Sequence, residues 1–293
     1  MLRAENFSNY DAFFYERDFD LAKHSFVGCG GIAPIVFYPS SAEELSSLLK
    51  KFKQDGVSYY VLGNMSNVLP SDAGTERAIV RLRKLNGIFC SNGVFAYAGA
   101  SSAAFLRACK NAGVSGGEFL YGIPCTIGGA LYMNAGANGK YISEIVESVL
   151  VCRDGELRLL SLSECNYAYK QSVFMENQDV IVGGSFRLEK ASSDEIERKI
   201  GYYAQKRAHL PKGKSMGCTF KNPVGAYAGD LIERCGLKGF QIGGAKISET
   251  HANFILNENN ATSKDVREII EKIKASVKEK FGVELQEEIR YLD

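Results

Sequence analysis

The chain of 293 residues exceeds one average domain, and at about 150 residues per domain it predicts two. Hydrophobic residues make up 45% and charged residues 24%, which excludes a disordered or collagen-like chain. The 35 basic and 34 acidic residues leave a net charge of +1, so we expect no general electrostatic attraction to nucleic acid or to an anionic membrane.

The cysteines and the N-terminal residues bear on the compartment. None of the eight cysteines forms a C-x-x-C pair, which argues against a structural zinc site or a thioredoxin-like centre. The first twenty residues lack the apolar core of a signal peptide, and the longest uncharged stretch is rich in Gly, Asn and Ser rather than in membrane-spanning residues. We therefore expect a cytoplasmic protein with free thiols, no metal site and no membrane segment.

Helical and strand periods alternate along the chain, which predicts a mixed protein with two cores. The predicted elements, in chain order, are a helix over 41–52, strands over 57–62, 78–82 and 95–98, a helix over 102–112, a hairpin over 149–160, a strand over 180–188, helices over 190–210 and 262–280, and a strand over 283–292.

Local signals support these elements. Ser41 with Glu44 has the spacing of a capping box, and Gly282 is placed to end the last helix. The dipeptide Asp154-Gly155 suits the tight turn of a hairpin. The chain becomes charged and helical after Lys190, so we place the domain boundary near residue 191.

A glycine-rich segment occupies the centre of the chain, and residues 122–139 contain no lysine or arginine. Because glycine lacks a Cβ, such a segment can present several backbone N–H groups to an anion such as a diphosphate. The alternative is a tight buried turn in which glycine packs on glycine, and composition alone does not decide between the two. A second glycine turn over 62–69 is, by itself, typical of an ordinary Asx-type turn.

Taken in order, the two segments resemble the FAD-binding region of the UDP-N-acetylenolpyruvoylglucosamine reductase (MurB) family. That family has L-G-x-G-S-N followed by G-I-P-G-x-x-G-G-A-x-x-M-N-A-G-A-x-G, and this chain matches at 62–67 and 122–139. The similarity continues through G-C-T-F-K-N-P at 217–223, G-L-K-G-F-Q-I-G-G-A at 236–245 and L-Q-E-E-I-R at 285–290. The length is similar to the shorter form of the family, which lacks an insertion in the substrate domain.

The resemblance implies an α+β fold. A FAD-binding domain of the vanillyl-alcohol-oxidase (PCMH) type would occupy residues 1–190, as two α+β subdomains split near residue 84. A smaller α+β MurB C-terminal substrate domain would follow over 191–293.

The implied activity is the NADPH-dependent reduction, through non-covalently bound FAD, of UDP-N-acetyl-3-O-(1-carboxyvinyl)-glucosamine to UDP-N-acetylmuramate. This step belongs to peptidoglycan precursor synthesis, and so to cell wall biogenesis, cell shape and cell division. A monomer acting on a sugar nucleotide, without a nucleic-acid or membrane partner, is expected. The alternatives are a flavin-binding paralogue with weak or no turnover, and another oxidoreductase on the same flavin scaffold.

The resemblance also implies roles for individual residues. Cys218 would protonate the substrate carbon, Glu288 would assist, and Lys170 would pair with the substrate carboxylate. Contacts to the substrate are implied for Tyr169, Lys221, Asn222 and Lys238. The residues implied to bind the cofactor are Gly63, Asn64, Ser66, Asn67, Gly122, Ile123, Pro124, Thr126, Gly128, Gly129, Asn134, Ala135, Gly136 and Gly139.

Four positions depart from the pattern or conflict with it. Lys170 stands where the family has arginine, so the planar two-pronged donor is lost. Met65 and Cys125 replace glycines, which costs about 1–2 kcal/mol wherever a positive φ is needed. Simple alternation along the last predicted strand places Glu287, rather than Glu288, among apolar neighbours. We follow the family motif and expect Glu288 to be the catalytic carboxylate.

Overall fold

The computed structural model describes residues 9–293, and the chain divides there into two compact units. Unit 1 contains the chain up to Arg17, Ile35–Asn64 and Arg77–Ala208. Unit 2 contains Asp18–Pro34, Met65–Glu76 and His209–Asp293. Each unit has its own core of buried apolar side chains.

This division differs from the boundary expected near residue 191. The helix Ser193–Arg207 belongs to unit 1, because Ile196 is buried and Lys199 donates to the Ser115 hydroxyl of that unit at 2.8 Å. Two early segments, 18–34 and 65–76, belong to unit 2, because apolar residues such as Val27 and Leu69 lie in its core. Sequence periodicity carries no signal for such exchanges between segments that are far apart in the chain.

The helices within residues 9–293 are α1 (Leu21–His24), α2 (Ala42–Asp55), α3 (Ser102–Asn111), α4 (Ile127–Tyr132), α5 (Ser193–Arg207), α6 (Ala228–Arg234) and α7 (Ser263–Phe281). None of these helices is long and apolar enough to cross a membrane. The strands of the same range are β1 (Tyr15–Asp20), β2 (Ile32–Phe37), β3 (Tyr59–Leu62), β4 (Val68–Pro70), β5 (Ala78–Arg81), β6 (Ile88–Phe89), β7 (Val94–Tyr97), β8 (Val114–Ser115), β9 (Gly136–Ala137), β10 (Lys140–Tyr141), β11 (Val146–Arg153), β12 (Glu156–Ser161), β13 (Val180–Phe186), β14 (Glu189–Lys190), β15 (Lys214–Cys218), β16 (Gln241–Ile242), β17 (Ala245–Ile247), β18 (Phe254–Asn257) and β19 (Arg290–Leu292).

Two main sheets follow one another along the chain before α5. The first has the order β1-β2-β5-β3, in which β5 pairs in parallel with both β2 and β3. The second is antiparallel, with the order β12-β11-β13-β7-β6. The carboxyl ends of β3 and β5 meet at one edge, because parallel neighbours run in the same direction.

Helix α2 shows how local signals set an element. The Ser41 side chain accepts from the Glu44 backbone N–H at 3.1 Å, and Gly56 ends the helix at φ +66°. Glu44 accepts from Ser40 N–H at 2.8 Å, so only half of the expected capping box forms. The predicted apolar stripe is buried, which confirms this helix.

The predicted hairpin is confirmed as β11 and β12. Arg153 pairs with Glu156, so Asp154 and Gly155 form a two-residue turn with φ of +54° and +80°. Positive φ at both turn residues matches the twist of the flanking strands, which explains why Asp-Gly occurs here.

Unit 2 contains the sheet β15-β18-β17-β16 and helices α6 and α7. Helix α7 is capped by the reciprocal pair Thr262 and Asp265 and ends at Gly282 with φ +67°. Its predicted stripe of Val266, Ile269, Ile270, Ile273 and Val277 is buried in the unit 2 core.

The predicted final strand over 283–292 is wrong in extent. Only Arg290–Leu292 forms a strand, parallel to β4, and Glu287 makes a single antiparallel bridge to Phe220 before it. Leu285 and Ile289 are buried, as alternation predicts. The segment nevertheless changes partner along its length, which prevents one continuous ladder.

Candidate active site

The turn after β3 lies against the central glycine-rich segment of unit 1. A Cβ on Gly63 would lie 2.5 Å from Oγ1 of Thr126, so only glycine allows this approach. The Asn64 side-chain amide donates to the Pro124 carbonyl at 3.3 Å. No hydrogen bond within residues 9–293 uses the backbone N–H of Asn64 or of Gly122. These two amides are therefore free to bind an anionic ligand, as a FAD diphosphate requires.

Most of the remaining amides in the glycine-rich segment are already used. Thr126 caps α4, a helix that sequence periodicity did not predict, by accepting from Gly129 N–H at 3.2 Å. The Ile127 and Gly128 N–H groups donate to the carbonyls of Ala100 and Ala98, both at 2.8 Å. Both interpretations of this segment therefore apply in part. It is a tight buried turn from Ile127 onward, while the Gly122 N–H before it makes no hydrogen bond within residues 9–293.

The side chain of Asn134 serves the fold of unit 1. Its amide donates to the Ala168 carbonyl at 2.8 Å and its oxygen accepts from Ser143 N–H at 3.2 Å. Asn134 is buried with φ +43°, a conformation that asparagine tolerates better than most residues. Asn134 thereby links the glycine-rich segment to the turn that carries Lys170.

Lys170 and Tyr169 are the central residues of a tight turn in which Ala168 and Gln171 exchange both backbone hydrogen bonds. Ser172 donates to the Tyr132 carbonyl at 2.6 Å, which fixes the turn beside the glycine-rich segment. Lys170 adopts φ +54°, and Tyr169 is 42% exposed. The structure places this turn in unit 1, beside the glycine-rich segment, and the expected contact of Lys170 with the substrate carboxylate stays a prediction.

Two arginines lie beside these segments although 122–139 contains no cation. The Arg81 Nη2 donates to the Gly63 carbonyl at 3.4 Å. A Cβ on Gly122 would lie 2.9 Å from Nε of Arg207, so the α5 side chain covers this glycine. Neither arginine was identified from the sequence. Each lies at least 18 positions from the glycine that it approaches, and neither belongs to a recognised motif.

In unit 2, backbone pairing joins the segments of Cys218 and Glu288. The Glu288 N–H donates to the Thr219 carbonyl at 2.8 Å, next to Cys218 in the chain. Cys218 ends β15 after an irregularity at Gly217, whose φ of +76° suits glycine. Cys218 is partly exposed. The structure thus brings together two residues that lie 70 positions apart in the sequence.

Asn67 contacts the Glu288 segment of unit 2, although we expected it to contact the cofactor. Its side-chain amide donates to the Glu288 carbonyl at 3.0 Å, and its own carbonyl accepts from Arg290 N–H at 2.9 Å. Ser66 belongs to the same unit, since the division between the units falls after Asn64. Asn67 therefore holds the Glu288 segment in place, and a cofactor role for it stays a prediction.

Glu287, the neighbour of Glu288 in the chain, has side-chain partners elsewhere in unit 2. The Glu287 carboxylate pairs with Lys274 of α7 at 3.0 Å, and its side chain is only 18% exposed. Burial, followed by a hydrogen bond to Glu287, raises the pKa of Tyr291. Glu287 is therefore engaged with α7 and with the C-terminal strand, which explains its place among apolar neighbours without a catalytic role.

Asn253 is a further residue whose role the sequence did not indicate. Its side chain is buried, accepts from Phe220 N–H at 2.9 Å and donates to the Phe220 carbonyl at 2.8 Å. Its backbone carbonyl accepts from Thr219 N–H at 2.8 Å. Asn253 thus fixes the backbone that directly follows Cys218.

The remaining predicted substrate residues all lie in unit 2. The Asn222 oxygen accepts from the Ala228 N–H that begins α6 at 3.0 Å. Lys221 N–H pairs with the Gln286 carbonyl at 2.8 Å, and Lys238 forms an ion pair with Glu233 at 2.7 Å. To bind a phosphate of the substrate, Lys238 would have to leave Glu233. This role of Lys238 stays a prediction.

The departures from the glycine pattern have different consequences. Met65 adopts φ +57°, so the methionine carries the cost of a left-handed conformation, whereas Cys125 has no positive φ.

All eight cysteines are free. Within residues 9–293, no group of three or more His, Cys, Asp or Glu side chains is placed to hold a metal ion.

Comparison with known proteins finds family matches in both halves of the chain. A family model described as the C-terminal domain of UDP-N-acetylenolpyruvoylglucosamine reductase matches residues 208–292, and a FAD binding domain model matches residues 33–161. The UDP-N-acetylenolpyruvoylglucosamine reductase of Shouchella clausii is 39% identical over 92% of this chain and 88% of its own length. The chain belongs to this family. The corresponding protein of Clostridium beijerinckii is 36% identical over 93% of this chain and 91% of its own.

Solved structures support the same assignment. The MurB crystal structure from Thermus caldophilus superposes with a TM-score of 0.82 at 32% identity, covering 96% of this chain and 100% of that one. An alkyldihydroxyacetonephosphate synthase shares the fold alone over 64% of this chain and 40% of its own, with a TM-score of 0.50 and 17% identity. The fold is α+β, with a FAD-binding domain of the PCMH type and a MurB C-terminal domain, and the enzyme is a flavin-dependent oxidoreductase.

Proposed function

We propose that the protein catalyses the NADPH-dependent, FAD-mediated reduction of UDP-N-acetyl-3-O-(1-carboxyvinyl)-glucosamine to UDP-N-acetylmuramate. The observation that carries the proposal is the backbone pairing of Thr219 with Glu288 beside Cys218, in a chain of the UDP-N-acetylenolpyruvoylglucosamine reductase family. This pairing brings a partly exposed thiol and a carboxyl-bearing residue to one edge of unit 2, as the protonation half of the reaction requires.

The residues of unit 1 fit a bound FAD. The backbone N–H groups of Asn64 and Gly122 would hold its diphosphate, and Gly63 leaves room for the close approach. When bound and reduced by NADPH, FAD supplies a hydride to one carbon of the substrate alkene. We assign unit 1 to cofactor binding and the MurB C-terminal domain in unit 2 to the sugar nucleotide.

The chain's own side chains would donate the proton to the substrate and stabilise the negative charges of the substrate and the intermediate. The Cys218 thiol would donate its proton to the alkene carbon next to the one that receives hydride, and would recover a proton from solvent afterwards. This role requires the thiol to carry its proton until the hydride has been transferred. Glu288 would stabilise the enol-like intermediate or share its proton, through a protonated or strongly hydrogen-bonded carboxyl. The Lys170 ammonium would pair with the substrate carboxylate as a point charge.

The substrate class suggests the cellular setting. UDP-N-acetylmuramate is a peptidoglycan precursor, and we infer a cytoplasmic reaction that supports cell shape and cell division. The proposal keeps the expectation of a monomer without a nucleic-acid partner. Tyr169, Lys221, Asn222 and Lys238 remain the proposed substrate contacts.

Anaerobic half-reactions test the proposal. NADPH should bleach the flavin absorption of the purified holoenzyme, and the enolpyruvyl sugar nucleotide should then restore it in one turnover. Flavin that NADPH reduces but the substrate never reoxidises would reject this substrate, and would favour another oxidoreductase on the same scaffold. Protein that neither contains nor takes up FAD would reject the proposal as a whole.

Replacing Lys170 by arginine separates an adapted site from a handicapped one. If the lysine is adapted to its turn, kcat/KM of Lys170→Arg should stay within about threefold of wild type, which is less than one charged hydrogen bond contributes. A gain of about tenfold or more would indicate that lysine limits turnover, as in a paralogue with weak activity.

A further inference from the structure

Arg81 lies at an unusual place for a cation. It is the last residue of β5 and pairs in register with Leu62, the last residue of β3. It is only 8% exposed, although arginine is mostly found on the surface and is almost never fully buried unless it is paired. Ala78 and Val80 of the same strand point into the unit 1 core, so alternation places Arg81 on the opposite face of the sheet.

The contact with Gly63 determines the direction of the next peptide N–H. The Arg81 Nη2 donates to the Gly63 carbonyl oxygen at 3.4 Å. Because the peptide unit is planar and trans, the carbonyl of Gly63 and the N–H of Asn64 point in opposite directions. A guanidinium that holds this carbonyl therefore turns the Asn64 N–H away from Arg81. That N–H makes no hydrogen bond within the described part of the chain.

The guanidinium also contributes charge. Burial lowers the pKa of Arg81 from its ordinary value, and the side chain nonetheless stays charged because arginine does not lose its proton in proteins. A charge in such a poorly solvated place is screened less than a surface charge and acts over one peptide length. Residues 122–139, which contain no lysine or arginine, provide no such charge from their own side chains.

We propose that Arg81 is a positioning residue for the cofactor, which aims the Asn64 N–H at the FAD diphosphate and supplies positive charge behind it. The inference rests on the FAD binding included in the proposed function and adds a residue to it. Because Arg81 acts through the Gly63 peptide, its loss weakens the hold on the diphosphate rather than on the isoalloxazine ring.

Arg83 provides a matched control. It lies two residues further along, its side chain is 50% exposed, and its guanidinium lies 4.3 Å from the centroid of the Tyr38 ring. It pairs with Glu16 at 3.5 Å. Removing Arg83 takes the same charge from the same strand end without touching the Gly63 carbonyl.

The experiment measures the dissociation constant of FAD for apo-protein prepared from wild type, Arg81→Met, Arg81→Lys and Arg83→Met. Flavin fluorescence quenching gives the constant, and the ³¹P NMR signals of bound FAD report on the diphosphate. We expect Arg81→Met to weaken FAD binding by about tenfold or more, because a hydrogen bond to a charged group is lost. Arg81→Lys should fall between, with shifted ³¹P signals, and Arg83→Met should stay within about twofold of wild type.

The FAD affinities of these variants show whether Arg81 positions the cofactor. Equal FAD affinity in Arg81→Met and Arg83→Met would overturn the inference while leaving FAD binding intact. Should Arg81→Met show no cooperative thermal transition, Arg81→Lys decides, and wild-type affinity together with unshifted ³¹P signals would overturn it. Wild-type apo-protein that binds no FAD would instead defeat the proposed function itself.

Discussion

The proposed cofactor residues of unit 1 and the proposed catalytic residues of unit 2 are held in place by different means. In unit 1, segments approach one another closely at glycines, as Gly63 approaches Thr126 and Gly128 approaches Ala98. In unit 2, asparagine side chains hold backbone groups, since Asn67 donates to the Glu288 carbonyl and Asn253 binds the Phe220 peptide on both sides. Unit 1 should therefore be sensitive to added volume at glycine, and unit 2 to the loss of a buried polar group.

The largest contrast should come from the neighbouring glutamates. Glu288→Gln should lower kcat for reoxidation of reduced flavin by substrate by about 100-fold or more, because a proton-transfer group is lost. Glu287→Gln should leave kcat within about threefold and only weaken the pair with Lys274, which is partly solvated. Single-turnover absorbance measures both effects. A reversal of the two results would return the catalytic role to Glu287.

Asn253→Ala tests the backbone assembly of unit 2. It leaves the Phe220 N–H and carbonyl buried without their side-chain partner, so the free energy of unfolding should fall by about 2–4 kcal/mol. Denaturant melts measure the loss, and hydrogen exchange should show it in unit 2 first. Asn259→Ala is the control, since its side chain is exposed. Equal melts for the two variants would contradict the role of Asn253 in holding Phe220.

Gly128→Ala tests the close packing of unit 1. Its new Cβ would lie 2.8 Å from Cβ of Ala98 and 3.2 Å from the Ala98 carbonyl oxygen, and overpacking of this kind should destabilise by about 1–3 kcal/mol. The control Gly201→Ala meets nothing within 4 Å in α5 and should raise stability by up to about 1 kcal/mol. Thermal melts of the apo-proteins compare the two. A neutral Gly128→Ala would show that α4 and β7 can separate at no cost.

The smallest effect concerns pH. Burial lowers the pKa of His251, and its neutral Nδ1 accepts from Asn253 N–H at 3.3 Å. The unfolded chain therefore takes up this proton more readily than the folded one. The contribution of His251 to stability is complete above the unfolded pKa of about 6.5 and is lost as pH falls below it.

Denaturant melts between pH 7 and pH 5 test this sign. Wild type should lose stability through this range more steeply than His251→Asn, whose side-chain oxygen can still accept from the backbone. His24→Asn serves as the control, because His24 is exposed and is not among the groups that shift the pKa of His251. Identical slopes in wild type and His251→Asn would remove His251 as the cause.

Local elements could be predicted because their signals lie within a few residues. Ser41 caps α2, Asp154-Gly155 turns the hairpin, and the stripe of α7 is buried as its spacing indicates. The family motifs likewise marked the segments of Gly63, Gly122, Cys218 and Glu288, whose roles stay predictions. By contrast, α4 was missed, because two glycines in a short helix lower its intrinsic propensity and its amides bind carbonyls of the chain near β7.

The sequence by itself determined the family, the two-core α+β composition, and the elements whose caps and apolar stripes are contiguous. Only the tertiary structure decided that Glu287 turns to Lys274, that the C-terminal segment changes partner between Phe220 and Val68, and that Arg81 reaches the Gly63 carbonyl. The physical reason is the distance along the chain between a group and the partner that satisfies it. A cap or a turn is satisfied by neighbours in the chain, whereas a buried charge or an unpaired peptide group is satisfied by whichever distant segment the packing of the core brings to it.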